Sequence, residues 1–272
     1  MPTLPFAQID AFASQPFEGN QACVMPLDAF LADEVMQKIA AENNVAETAF
    51  IVPNGEGVWK LRWFTPAVEV PLCGHATLAA GHYLYELGGF SGEQITFQTV
   101  QSGELFVSRL ADGRLEMDFP AQEAEEISID SDVSAALGKA PIKAFTGPCY
   151  VGLYDSADDI RDLAPDLERL KTLGTSDGKW GRGNIGVLAL DGDGVEVTSR
   201  FFAPGSGIPE DPATGSWHCM IAPLVEMLTG KTEAKCFQAY PGRGAFVDVE
   251  LAGDRVKLRG HSVTVIEGTF RL

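Results

Sequence analysis

The chain has 272 residues, 45% of them hydrophobic and 21% charged, which is the composition of a globular protein long enough for one large domain or two ordinary ones. Its 20 Lys+Arg against 38 Asp+Glu leave a net charge of −18, a field that opposes nucleic acid and anionic membrane surfaces and argues against both as partners. Five cysteines (23, 73, 149, 219 and 236) without CxxC spacing exclude a disulfide framework and a zinc finger and fit a reducing compartment, hence a cytoplasmic location.

In chain order, Met1 to Pro16 lacks a basic n-region and a long apolar run, so no leader is expected, and no stretch reaches the length of a membrane span. Pro5 to Phe12 reads as a strand, followed by a turn at Gly19-Asn20 and a short strand from Ala22 to Met25. Val35, Met36, Ile39 and Ala40 have helical spacing over 33–42, with Asp33 where an N-cap belongs. Asn44 to Val52 is extended and carries Glu47, and Trp59 to Thr65 is the next strand. After Pro71-Leu72-Cys73-Gly74-His75, the run Ala76 to Leu87 lacks a polar stripe and predicts a helix buried nearly all round.

Strands at 95–100, 104–110 and 114–119 are joined by the turn signals Ser102-Gly103 and Asp112-Gly113. The acidic segment Pro120 to Asp132 reads as a solvated loop or linker. A strand at 149–154, a helix at 156–171 and strands at 184–190 and 195–203 follow. A Gly/Pro-rich loop, Pro204 to Pro212, then leads into a second apolar helix over 214–229. The chain closes with strands at 246–251, 255–259 and 263–270. Each half thus places a glycine-containing turn before an apolar helix, and two such helix entrances facing one cavity would capture a carboxylate on free N–H groups.

Glu47 sits among small and apolar neighbours with no Lys or Arg nearby in sequence. Burial there would raise its pKa toward neutrality and suit it to proton transfer; on local context alone, a half-exposed strand carboxylate is the simpler reading. His75 at the first helix entrance has three roles open to it: substrate binding, acid/base chemistry or helix capping. His82 reads as a satisfied core residue, and His261 has no context for chemistry. Asp211 precedes the second helix, where it either caps the helix or meets a ligand, while Gly215 and Ser216 offer N–H donors. No G-x-S-x-G, no H-E-x-x-H and no phosphate-binding glycine loop occurs, so a serine hydrolase, a metal site and a nucleotide site are not expected.

Taken together, the motifs Asp10-Ala11-Phe12 with Gly19-Asn20, Glu47-Thr48-Ala49-Phe50, and Arg62-Trp63-Phe64-Thr65-Pro66 resemble the PhzF-like family of phenazine biosynthesis, in the diaminopimelate epimerase-like superfamily. So do Glu69 through Ala79, Phe201-Phe202-Ala203-Pro204 and Gly207 through Ser216, in the family's order over residues 10–219. The resemblance implies an α+β fold of two pseudo-symmetric domains, each a curved mixed sheet wrapped around a central helix. The expected domains are 1–120 plus 262–272, and 121–261. It further implies catalytic Glu47, His75 and Asp211, substrate contacts at Asn20, Gly74, Gly215 and Ser216, and no cofactor or metal. The implied reaction is a proton shift on a small carboxylate substrate, similar to isomerisation of trans-2,3-dihydro-3-hydroxyanthranilate. A homodimer is compatible with this reading.

Trp217 departs from the small residue that many members of the family it resembles carry there, and is expected to narrow or cover the cleft. Two alternatives remain beside the isomerase. One is an amino-acid racemase or epimerase, whose two-thiol form is unavailable because Pro212 stands opposite Cys73 in the repeat and Cys219 lies too far into the helix. The other is a non-catalytic binding protein on the same fold.

Overall fold

The computed structural model describes residues 3–175, 178–191, 194 and 196–272. The start of the strand expected at 195 lies outside the described residues. The chain divides into two compact units, Met1–Phe119 with Arg259–Leu272, and Pro120–Leu258.

The first unit runs β1 (Thr3–Ala11), β2 (Asn20–Pro26), α1 (Asp33–Asn43), β3 (Glu47–Pro53), β4 (Val58–Phe64), β5 (Glu69–Val70), α2 (Gly74–Glu86), β6 (Gln94–Thr99), β7 (Glu104–Arg109) and β8 (Leu115–Pro120). Its strands lie in the order β8-β7-β6-β4-β3-β2-β1, with β5 on β4 and a last strand, Ser262–Arg271, beside β1. The sheet is mixed: β2 pairs parallel with β3, β4 pairs parallel with β6, and the other neighbours are antiparallel. Helix α2 packs on β1, β2, β3 and β7. Its Ala76, Leu78, Ala79 and Ala80 are buried, as a helix without a polar stripe requires. Asp33 does not cap α1: Ala32 holds that position without a side-chain bond, and the Asp33 carboxylate instead pairs with Arg62 at 2.8 Å.

The second unit contains β9 (Glu125–Ile127), α3 (Ser131–Leu137), β10 (Lys143–Thr146), β11 (Tyr150–Tyr154), α4 (Ala157–Asp162), α5 (Leu167–Leu170), β12 (Ile185–Ala189), β13 (Val197–Phe202), α6 (Gly215–Thr229), β14 (Glu233–Ala234), β15 (Cys236–Gln238), β16 (Ala245–Phe246), β17 (Asp248–Ala252) and β18 (Arg255–Gly260). The strand closing the first unit, Ser262–Arg271, is β19. One sheet runs β16-β15-β13-β12-β11-β10-β9, and β14, β17 and β18 are consecutive neighbours in that order.

Three expectations change here. The acidic stretch is not merely a linker: β9 pairs with β10, and Asp130 caps α3 by accepting from Asp132 N at 2.8 Å and Val133 N at 3.2 Å. The single helix expected at 156–171 is two, because Pro165 has no N–H and biases Ala164 away from helical dihedrals. Asp166 then restarts the helix, accepting from Arg169 N at 3.0 Å. Trp217 does not line an opening. Its side chain is fully buried in the second unit, close to Phe201, and lies against Gly186, where a Cβ would come within 2.6 Å of the indole.

Pro223 lies inside α6 and cannot donate to the carbonyl of Cys219 four residues earlier. That carbonyl is not left idle, since it accepts from Gln122 N at 3.0 Å. The carbonyl freed by proline thus fastens the start of the acidic segment to α6.

Candidate active site

Topology gathers one cluster in the first unit. Because β2 and β3 are parallel, with Ala22 opposite Glu47, the first residues of both strands, Asn20 and Glu47, come to the same end of the sheet. β4 runs back to that end, where Phe64 pairs with Thr48, and the chain then passes through β5 to Cys73 and the start of α2. The entry to β2 is shaped by Gly19, at φ +61°, where a Cβ would collide with the Ala11 carbonyl oxygen. Buried Asp10 orders the same loop by accepting from Phe17 N at 2.9 Å.

Four side chains meet at the start of α2. His75 Nε2 lies 3.0 Å from Glu47 Oε2. The Asn20 side-chain amide lies 3.3 Å from His75 Nδ1 in hydrogen-bond contact, and Cys73 Sγ lies 3.5 Å from the same nitrogen. Glu47 Oε2 has no aligned hydrogen bond among the described residues, so its contact with His75 is an ion-pair contact. Glu47 is part-buried: 17% of its side chain stays exposed, against 6% for His75. Asn20 and Cys73 are buried.

Electrostatics follow from this packing. Burial disfavours the imidazolium of His75, but the Cys73 sulfur and the Glu47 carboxylate outweigh it and hold the His75 pKa well above its ordinary value. Burial pushes the Cys73 thiol up to about 11, with the Glu47 charge adding to it. The helix capping considered for His75 does not occur; Cys73 holds the N-cap position and no side chain caps α2.

In the second unit, Asp211 does not cap α6 either. Thr214 is the N-cap residue, and its hydroxyl donates to Asp211 Oδ2 at 2.8 Å. Thr214 N donates to Gln238 Oε1 at 2.9 Å, and the Gln238 amide donates back to Thr214 Oγ1 at 3.1 Å. Gln238 is fully buried and holds the start of α6, a role that sequence reading missed because Gln238 lies 24 residues from Thr214. Gly215 is buried and Ser216 exposed at the first turn of α6, which no side chain caps.

Cys73 figures in the sequence as a motif residue and as the thiol without a counterpart for two-thiol chemistry; the fold makes it a neighbour of Glu47 and His75. His82 is satisfied as expected, with Nε2 3.0 Å from Thr264 Oγ1. Burial, helped by the Arg109 charge, lowers its pKa to about 4. His261 is exposed. The two arginines near the motifs are committed locally. Arg62 donates to both oxygens of Glu69 at 2.7 Å as well as pairing with Asp33, and Arg200 donates to both oxygens of Glu210 at 2.8 Å. No described helix is long and apolar enough to cross a membrane.

Comparison with known proteins agrees along the whole chain. The family model for phenazine biosynthesis-like proteins (PhzC–PhzF) matches residues 9–268. An uncharacterised isomerase of Pseudomonas aeruginosa is 44% identical over 271 residues, 99% of each chain. A PhzF-family protein of Enterococcus faecalis superposes with TM-score 0.93 at 35% identity, covering all of both chains. A PhzC/PhzF protein of Clostridium difficile gives 0.89 at 34% identity, over 99% of this chain and 100% of that one. With its mixed α+β units and these relatives, the chain belongs to the phenazine biosynthesis-like protein family and is an isomerase of that family.

Proposed function

We propose that the protein is a cofactor-independent isomerase that moves a proton within a small carboxylic acid, with Glu47 taking and returning that proton. The observation that carries this reading is the Glu47–His75 pair, 3.0 Å apart and largely shielded from water at the uncapped start of α2. A carboxylate oxygen held by the imidazole leaves the second oxygen for a substrate C–H bond, and the partial burial of Glu47 removes competing water. Asn20 fixes the ring of His75 and thereby the direction of Glu47.

Anion capture in this reading rests on backbone donors. Arg62 and Arg200 are neutralised by their own carboxylates, so the substrate carboxylate is assigned to N–H groups at Gly74 and His75, with the positive end of the α2 dipole behind them. Asp211, Gly215 and Ser216 of the second unit are proposed as further substrate contacts, Asp211 with an acid/base role. The substrate class proposed is an amino-hydroxy cyclic acid similar to trans-2,3-dihydro-3-hydroxyanthranilate.

The test is proton–deuterium exchange at carbon-bound positions of that acid and a panel of related carboxylates in D2O. Glu47→Gln is expected to slow exchange by about 10²–10⁴-fold, while carboxylate binding stays within about tenfold. Ser216→Ala is expected to cost under tenfold in affinity and Ser216→Pro, which deletes the donor, far more. Full exchange activity in Glu47→Gln sinks the mechanism.

A further inference from the structure

We propose that Glu47, Cys73 and His75 form a binding site for Zn2+, and that the bound ion blocks proton transfer by Glu47. Metal capture stands on donor geometry alone; the block rests on the function proposed above.

Among the described residues these three make the one group of three or more His, Cys, Asp or Glu donors in mutual reach, with ligand atoms all within 4.8 Å of one another. His75 Nε2 lies 3.0 Å from Glu47 Oε2 and 4.0 Å from Cys73 Sγ. A tetrahedron built from ordinary zinc bond lengths has N–O and S–N edges of about 3.3 and 3.5 Å, so the His75–Glu47 and His75–Cys73 separations each lie within about half an ångström of the tetrahedral edge, and the Cys73 side chain must turn from Nδ1, now 3.5 Å away, toward Nε2 to close the cage. One thiolate, one imidazole and one carboxylate are an accepted zinc donor set, and three protein ligands leave the fourth position open. Their charges, −1, 0 and −1, offset the ion's +2, and the −18 of the whole chain adds to the attraction.

The site is also built for order. Cys73 and His75 stand at the start of α2 and Glu47 at the start of β3, so all three donors hang on regular elements. With Nε2 on the metal, Nδ1 carries the ring proton, and the Asn20 amide, 3.3 Å away, accepts it once its oxygen is turned to the ring. The Cys73 proton and the Nε2 proton of His75 both leave to solvent as the metal binds, and the Ala76 N–H that reaches the sulfur stabilises the thiolate left behind. Spacing rules miss this set because Cys73 and His75 are two residues apart and Glu47 comes from another strand.

Co2+ is the probe, titrated into the full metal-free chain. One equivalent is expected to give a thiolate-to-cobalt charge-transfer band with the intense visible bands of four-coordination, and Zn2+ is expected to bleach both. Cys73→Ser should abolish the charge-transfer band, and Glu47→Gln and His75→Asn should each weaken Co2+ binding at least tenfold, with circular dichroism confirming the metal-free fold of each variant. Should Cys73→Ser not fold, the other two variants decide the matter. A charge-transfer band that survives in Cys73→Ser, unchanged affinity in Glu47→Gln and His75→Asn, or only weak six-coordinate bands in the wild type overturns the site. In the D2O assay, Zn2+ should stop exchange and a chelator restore it; undiminished exchange with the site loaded overturns the block. If no acid exchanges while Co2+ binds as described, the metal site stands and the isomerase reading falls.

Discussion

Glu210→Gln is the most demanding test of how the second unit holds the loop leading to α6. Arg200 and Glu210 are 6% and 8% exposed, and the guanidinium donates to both carboxylate oxygens at 2.8 Å. Its remaining nitrogen donates to the Leu163 carbonyl at 2.7 Å and the Ile160 carbonyl at 3.3 Å, which ties β13 to the end of α4. The guanidinium also lies over the Phe202 ring, 4.7 Å from its centroid. Glutamine keeps the shape and one acceptor but removes the charge, leaving a buried cation with neutral partners. Breaking a buried pair in this way costs about 3–5 kcal/mol, and the retained acceptor places this case near 3. At about 2–4 °C per kcal/mol for a chain of this size, Tm should fall by roughly 6–12 °C. Replacing both partners, Arg200→Met with Glu210→Leu, should recover part of the loss, because no charge then remains buried although the Leu163 and Ile160 carbonyls lose their donor. Differential scanning calorimetry of the wild type, the single variant and the double variant measures this. A Tm shift under about 2 °C for Glu210→Gln would refute the claim that the pair is desolvated and coupled.

Gly186→Ala sets a methyl against the Trp217 ring and should cost about 1–3 kcal/mol, seen as a lower urea midpoint, with partial rescue by Trp217→Phe. Gly19→Ala meets the Ala11 carbonyl at positive φ and should destabilise by more than about 1 kcal/mol; it should also displace Asn20, lowering exchange activity beyond the stability loss. His218 is fully buried, and burial lowers its pKa from 6.5 to about 4 despite the bond of Nδ1 to Thr214 O. As pH falls through that window the unfolded chain takes up a proton that the folded chain refuses, so stability drops by up to about 3 kcal/mol. His218→Gln should flatten the slope of stability between pH 6.5 and 4; an unchanged slope would show that His218 is not buried neutral.

Much of the secondary structure was legible from local chemistry. The helices at 74–86 and 215–229 show in their unbroken apolar runs, and the hairpins in Ser102-Gly103 and Asp112-Gly113, because periodicity and turn conformation are properties of neighbouring residues. The break at Pro165 was legible too, because a proline has no N–H to donate and disfavours helical dihedrals in the residue before it. The family motifs placed Glu47 and His75 among the residues of interest. Their 3.0 Å contact was not legible. It depends on β2 and β3 pairing in parallel and on β4 returning the chain to the same end of the sheet.

The remaining features belong to tertiary structure for the same reason. Cys73 joined Glu47 and His75 only through packing of α2 on the sheet. Asp33 and Asp211 looked like caps, but Arg62, reached across the fold, took the first carboxylate, and the hydroxyl of Thr214, three residues along, took the second. Trp217 looked like a cleft residue until Gly186, 31 positions earlier, gave its ring a place in the core. Sequence by itself determined periodicity, turns and membership of a family, each written in residues close along the chain or in a recognised motif. Which distant side chains share a charge, a hydrogen bond or a cavity was decided by strand order and helix packing, because the free energy of those contacts exists only once the fold brings them within a few ångströms.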